Sequence, residues 1–537
     1  MDWGGAGKPL EKVFLVELVS GVEFSPAASI ILGVSVLLSF AFFIYGINTL
    51  HLTRKARGYH QPSWGEMASK QAVAVHLPLY NELYVAERLL DACTKMADRY
   101  GRSLVRICVI DDSNDETREK LDSLSKGYGQ QGYRVEVLRR GTRTGFKAGA
   151  LQAALETTAE PFVAVFDADF APTEDFLDRT VPFKLQDDKV GFVQCRWTHF
   201  DRGYNMVTET LAIGIDAHFL LEQAGRWTGG YMMNFNGSAG LLRTSAIVSA
   251  GGWSSETLAE DLDLSYRMQL TGYKPVYLKD VTVPAELPPT ITSLKRQQGR
   301  WARGSIQTAR KVFPSVASST KLSFRQKFEA FVHLTYYLVH PLMVASFGLT
   351  VLAAFLNVNV FDYAITVDVL NPGAFLGLPL LTQLEVAPWA VFMLMIVLST
   401  VSVLYYCVEA VRAQHLGLLK NVKQILLLVI LGYGISVSNT VSVLAGLLSN
   451  KTGVFLRTPK YAITSQGGTW REKKYQLALN RVTIFEAAAS AVGLAALAYA
   501  TLQNNLGIVP ILAVYVTGYI LVLLLTLSQS VSRQLGT

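Results

Sequence analysis

The chain has 537 residues, half of them hydrophobic and only 17% charged, which is too long for one ordinary domain and too apolar for a wholly soluble or disordered protein. A net charge of +7 would suit a nucleic-acid binder, but the basic residues cluster beside apolar runs, which argues for a lipid bilayer instead.

The first apolar run is Ala27–Leu50. It reaches the roughly 20 residues that a bilayer core demands, and it is too long for a signal peptide. Arg54, Lys55 and Arg57 follow it, so the positive-inside rule places the next segment in the cytoplasm. We therefore expect a retained first span within residues 1–50, a cytosolic domain over 51–327 and a second membrane region over 328–537. Cys93, Cys108, Cys195 and Cys407 show no paired or metal-ligand spacing and read as reduced structural thiols.

Within 51–327, short apolar runs alternate with helical stretches. Val73–Glu82 reads as a strand running into a loop, Val85–Arg99 as a helix, Val105–Ser113 as a strand and Glu116–Lys126 as a helix. Val135–Leu138 is a short strand, and a helix after Gly145 runs to about Leu155. The next strand, Val163-Ala-Val-Phe-Asp-Ala-Asp169, ends in two carboxylates. This alternation indicates an α/β domain with an open, mostly parallel sheet. Beyond it, Gly191–Trp197 and Lys274–Leu278 read as strands, and Thr208–Gly225 and Leu262–Leu270 as helices. A basic amphipathic interfacial helix is expected over about 290–316.

Further apolar runs lie near Phe331–Leu356, Ala387–Val411, Ile425–Leu448, Thr483–Thr501 and Val509–Leu527. The loop 357–386 carries Asp362, Asp368 and Glu385 but no Lys or Arg, and so belongs outside. If Ile425–Leu448 spanned, the loop with Lys451, Arg457, Lys460, Arg471, Lys473, Lys474 and Arg481 would also fall outside, against the charge rule. That run is broken by Gly432, Gly434 and Ser436-Val-Ser-Asn439, and reads as an interfacial or re-entrant segment over about 422–449. Five spans result, with Arg533 inside; six is the alternative.

The polar residues at strand and helix ends carry the chemistry. A core strand has no use for Asp167 and Asp169, since unpaired buried charge is costly. At the carboxyl edge of a parallel sheet they suit Mg²⁺ or Mn²⁺ brought in with a phosphorylated substrate. Asp111 and Asp112 end another strand and suit a nucleotide contact, although they could cap the next helix. Lys147, between Gly145 and Gly149, offers a point charge to phosphate or is simply solvated. Glu260 and Asp261 open a helix, where acids favour the dipole in any case, yet a carboxylate there could also be a general base. Gln297, Arg300 and Trp301 combine amide, cation and indole; they suit a sugar and a diphosphate, or a belt beside the bilayer.

Taken together, Ile110-Asp-Asp-Ser113, Gly145-Phe-Lys-Ala-Gly-Ala-Leu151, Phe166-Asp-Ala-Asp-Phe170, Asn236-Gly237, Ala259-Glu-Asp-Leu-Asp-Leu264 and Gln297-Gln-Gly-Arg-Trp301 resemble the D, D-x-D, E-D and Q-x-x-R-W signature of processive membrane glycosyltransferases. The pattern looks most like the cellulose synthase-like enzymes of the mannan/glucomannan synthase branch. It runs from about Val73 to Trp301 and resumes at Phe455-Leu-Arg-Thr-Pro-Lys460. The resemblance implies a GT-A catalytic domain set between transmembrane helices. Asp111 and Asp112 would then contact the nucleotide, with Lys147 and Arg300 near the diphosphate. Asp167 and Asp169 would hold donor and metal, and Asp261 would be the base. Gln297, Trp301, Asn236 and Glu260 would form the acceptor end. Phe455, Thr458 and Lys460 would belong to a gating loop over about 450–466, where Arg457 replaces the Val of F-x-V-T-x-K in cellulose synthase.

The implied partners are a UDP- or GDP-hexose, the growing polysaccharide and the bilayer, with no nucleic acid. The implied reaction is processive synthesis of a β-linked polymer, and transfer of one sugar to a lipid acceptor is the alternative. The chain ends soon after its last apolar run, so regulation by a cyclic-dinucleotide-binding domain is not expected.

Overall fold

A computed structural model describes residues 26–63, 69–358, 365–368, 383–386, 388–449, 451–465, 467–471, 473–475, 477 and 479–534. The segment 1–25, Asp362 and the side chains of Asp368, Glu385 and Arg533 fall outside the described residues.

Among the described residues seven strands form the main sheet: β1 (Val73–Leu79), β2 (Val105–Asp111), β3 (Arg134–Leu138), β4 (Phe162–Val165), β5 (Val190–His199), β6 (Gly240–Arg243) and β7 (Lys274–Ala285). Their order is β3-β2-β1-β4-β6-β5-β7. β2 and β4 are buried along their whole length, as strands covered on both faces must be. On one face Leu89, Cys93 and Met96 of the helix Ala86–Tyr100 pack against the sheet; on the other lie Leu151, Phe219 and Trp253.

The pairings β1–β2, β1–β4, β2–β3 and β5–β7 are parallel, which matches the expected open sheet. β6 is antiparallel to both β4 and β5, so the sheet is mixed. No strand was expected at Gly240–Arg243. It is only four residues long, and a Cβ on Gly240 would come within 2.5 Å of the Phe235 ring, so close packing rather than side-chain pattern specifies it. The crevice where the strand order reverses, between β1 and β4, is where open α/β sheets bind ligands.

The stretch expected as one helix over Thr208–Gly225 is Met206–Ala217, then a π-helical turn His218–Gln223, then Ala224–Gly229. The expected interfacial helix spans Ile291–Ser318. It is tied to the apolar helices by Lys295, whose ammonium lies 2.8 Å from the buried Glu486 carboxylate.

Among the described residues, five helices are long and apolar enough to cross a membrane: Pro26–Ala56, Phe324–Phe355, Met393–Ala413, Val482–Leu502 and Val509–Ser530. They mark the chain as an integral membrane protein. Leu418–Gly434 and Ser436–Leu448 meet at a 49° bend, at the Gly- and Ser-rich break read from the sequence. Gly434 packs so closely on Val509–Gln534 that a Cβ there would lie 2.4 Å from the Gly518 carbonyl oxygen.

Candidate active site

Asp167 and Asp169 lie just past β4, with side chains 33% and 5% exposed. The Asp167 N–H donates to Ser238 Oγ at 3.0 Å, which fixes the turn. Lys147 Nζ sits 2.6 Å from Asp167 Oδ1 and 3.5 Å from Glu260 Oε1, and it donates to the Gly237 carbonyl at 3.1 Å. Burial would lower the Lys147 ammonium, but Asp167, Glu260 and Asp261 outweigh it and hold the group above its ordinary range. The helix that carries Lys147 starts in a very tight turn: a Cβ on Gly149 would lie 2.1 Å from the Thr144 carbonyl oxygen.

Asp261 opens the helix Glu260–Leu270, and its Oδ1 accepts the Leu262 N–H at 2.8 Å. Burial, then the charge of Glu260, pushes the carboxyl up to about 7, while Lys147, the Leu262 N–H and Arg300 pull it down. Gly237 faces this carboxylate with φ at +81°, and a Cβ there would meet Asp261 Oδ2 at 2.5 Å and Lys147 Nζ at 3.3 Å. Loop, lysine and carboxylate thus fit together only with glycine at this position.

On the interfacial helix, Gln297, Arg300 and Trp301 share a face through their i, i+3, i+4 spacing. Arg300 Cζ stands 4.5 Å over the Phe455 ring, and Phe455 stacks on Phe146 with centroids 6.4 Å apart. Gln297 Oε1, Arg300 Nε and Thr458 Oγ1 are buried without a hydrogen-bond partner among the described residues. Buried polar atoms are normally satisfied, so this set suits a polar ligand.

The segment 451–465 crosses the sheet edge as an irregular strap. Lys460 Nζ lies 2.6 Å from Asp169 Oδ2 and donates to the Glu286 carbonyl at 3.2 Å. Arg457 pairs with Glu82 at 3.1 Å, although burial pushes the Glu82 carboxyl up to about 8 against the pull of Arg457. The strap thereby joins the acid pair after β4 to the interfacial helix.

Two residues expected at the ligand make hydrogen bonds within the protein. Asp111 is wholly buried: its Oδ1 accepts the Ser113 N–H at 2.9 Å and its Oδ2 accepts from Arg139 Nε at 2.8 Å. Both of its oxygens are thus engaged inside the fold. Asn236, half-buried, accepts from Gln223 Nε2 at 2.5 Å and lies 3.0 Å from His218 Nε2. Asp112 is bound by both Arg140 Nε, at 3.0 Å, and Arg140 Nη2. The parallel register pairs Ile110 with Leu138, which sets Asp111 beside Arg139 and Asp112 beside Arg140.

For a divalent cation, Asp167 and Asp169 are the oxygen donors on hand, each with one oxygen already against a lysine ammonium. Among the described residues no group of three or more His, Cys, Asp or Glu could hold a metal ion. Two hard oxygens fit a Mg²⁺ or Mn²⁺ ion whose remaining ligands are water and substrate phosphate, and do not make a dedicated cage. The ammonium of Lys460 against Asp169 shows that this edge already attracts positive charge.

Residues 70–304 match the family model described as "Glycosyltransferase like family 2". "Probable glucomannan 4-beta-mannosyltransferase 7" of Oryza sativa subsp. japonica is 38% identical over 261 residues, covering 48% of this chain and 44% of that protein. "Glucomannan 4-beta-mannosyltransferase 7" of Arabidopsis thaliana is 32% identical over 330 residues, covering 58% of this chain and 59% of that one. The chain thus spans about half the length of the curated relatives it matches. Among solved structures, the mannosyltransferase PcManGT from Pyrobaculum calidifontis, in complex with GDP-Man and Mn²⁺, has a TM-score of 0.48 at 19% identity and covers 71% of this chain and 97% of that one. Residues 70–304 thus match a glycosyltransferase family 2 model and are built on a mixed sheet, in a chain similar to the cellulose synthase-like glucomannan 4-beta-mannosyltransferases.

Proposed function

We propose that the chain is an inverting, processive polysaccharide synthase. It builds a β-1,4-linked hexose polymer from a nucleotide sugar, with GDP-mannose ahead of UDP-glucose, and passes the product into its membrane helices. The observation that carries this reading is the Asp261 carboxylate at the start of its helix, faced at close range by Gly237 and Lys147 and pushed up by burial and Glu260. A base poised near the working pH combines the right protonation state with proton affinity. The names of the curated relatives support a mannosyl donor and a β-1,4 linkage. The basic loops flanking the first span and the strap support a cytoplasmic catalytic domain.

In the proposed reaction Asp261 takes the proton of an acceptor hydroxyl. The freed oxygen forms a bond to the anomeric carbon from the face opposite the diphosphate, whose bond to that carbon breaks. One displacement turns an α-linked donor into a β-linked product. Lys147 and Arg300 meet the charge that develops on the departing nucleoside diphosphate. Asp167 and Asp169 would hold Mg²⁺ or Mn²⁺, which when bound supplies further neutralisation of that diphosphate. Trp301 offers the acceptor a stacking face, and Gln297 a hydrogen bond.

The test is incorporation of radiolabel by purified protein in lipid nanodiscs, with GDP-mannose, UDP-glucose, UDP-galactose and UDP-N-acetylglucosamine offered separately with Mg²⁺ or Mn²⁺. High-molecular-weight product from GDP-mannose is expected. Label found only in a small lipid-extractable product would replace this reading with that of a glycolipid synthase. In the same assay Gly237→Ala is expected to lower transfer by about 10²-fold, since displacement of a reacting group by about 1 Å costs that much. The added methyl must push Asp261 or Lys147 aside while the backbone stays at positive φ.

A further inference from the structure

The loop Asn234–Ser238, which sets Gly237 against Asp261, is wired to the membrane. Asn236 Nδ2 lies 3.0 Å from His218 Nε2, and His218 Nδ1 lies 3.0 Å from Glu222 Oε2. The Asn236 amide is oriented by Gln223, which donates to its Oδ1, so Nδ2 is the donor and His218 Nε2 the acceptor. His218 Nδ1 then carries the proton and donates to Glu222. The other Glu222 oxygen accepts the Tyr406 hydroxyl at 2.8 Å, and Tyr406 belongs to the apolar helix Pro388–Ala413. Arg226 lies 3.3 Å from Glu222 and 2.8 Å from Glu329, which stands on the apolar helix Phe324–Thr335.

The wire occupies the π-helical turn His218–Gln223, a distortion that brings side chains out of ordinary helical register and is frequent at functional sites. Every link is a directional hydrogen bond between half-buried groups, so a lost partner loosens the next link in the chain.

We propose that Tyr406 and Glu222 are positioning residues for the transfer reaction: through His218 and Asn236 they make the membrane helix 388–413 set the place of Gly237, and hence of the base Asp261. This rests on the function proposed above. Its consequence is coupling, because a shift of that helix as the polymer advances would move the catalytic loop through four side chains and no backbone rearrangement.

The test compares Tyr406→Phe with Glu409→Gln in full-length protein in nanodiscs. Glu409 lies on the same helix but pairs with Arg57 at 3.1 Å, away from the wire. Tyr406→Phe removes one oxygen and leaves the ring in place. It is expected to lower kcat about tenfold with donor KM within about twofold, as loss of positioning does. The acid limb of the rate profile should also move below its wild-type position, because a loosened loop lets water reach Asp261. Hydrogen–deuterium exchange of the 234–238 amides should rise several-fold, while Glu409→Gln matches wild type in every readout. The proposal is overturned if exchange at 234–238 is the same in both variants, or if it rises while kcat and the limb stay put. Absence of transfer in the wild type would count against the synthase reading alone, since the exchange comparison still decides whether the helix holds the loop.

Discussion

Asp261→Asn is expected to abolish transfer, with a loss of at least about 10²–10⁴-fold, the range that a positioned general base contributes. Asparagine keeps the shape of the side chain and can still accept the Leu262 N–H, so the fold and donor binding should survive. What is lost is the group that takes the proton. The wild-type rate profile gives the second half of this prediction. Burial and Glu260 push the Asp261 carboxyl up to about 7. Below that pH the group carries a proton and cannot accept another; above it the base is free. kcat/KM should therefore rise through about pH 7 and level off on the alkaline side. Initial rates of sugar incorporation across that window check it, and a profile flat through neutrality would remove Asp261 from the role of base.

Much of this site was legible because its carboxylates break a local rule. Asp167 and Asp169 end an apolar run that would bury them, and Asp261 starts a helix beside a second acid; such conflicts between pattern and residue type mark function. The alternation of strand and helix up to β4 and the helix break near Gly434 were legible from apolar runs and glycines, which are local signals. What stayed hidden was set by contacts distant in sequence. Asp111 and Asp112 look alike as residues, yet one is sealed by Arg139 and Ser113 and the other is clamped by Arg140, a difference that only the pairing of β2 with β3 creates. Asn236 was expected at the acceptor end, and nothing local in the sequence showed that the π-turn at His218–Gln223 brings two partners to it. The Glu82–Arg457 and Asp169–Lys460 contacts join residues whose sequence separation carries no periodic trace.

Lys147→Met should show how far the acids depend on one cation. The ammonium stands among Asp167 at 2.6 Å, Glu260 at 3.5 Å and the nearby Asp261, so its removal leaves three carboxylates facing one another. Removing one partner of a buried charge pair typically destabilises by about 3–5 kcal/mol. Here the penalty should fall toward the lower end, because a carboxyl already at about 7 can take up a proton rather than stay charged. That escape has a kinetic signature. Lys147 is one of the groups pulling the Asp261 carboxyl down, so without it the carboxyl rises further and the acid limb of kcat/KM moves to higher pH. The variant should therefore be nearly inactive at neutral pH, and part of its loss should be recovered on the alkaline side. The remaining deficit measures the charge that Lys147 offers the leaving diphosphate, which no change of pH restores. Thermal unfolding and the rate profile of the same preparation separate the two effects. An unchanged limb with lowered activity would mean that Lys147 serves the diphosphate alone, and a shift to lower pH would contradict the electrostatic arrangement altogether.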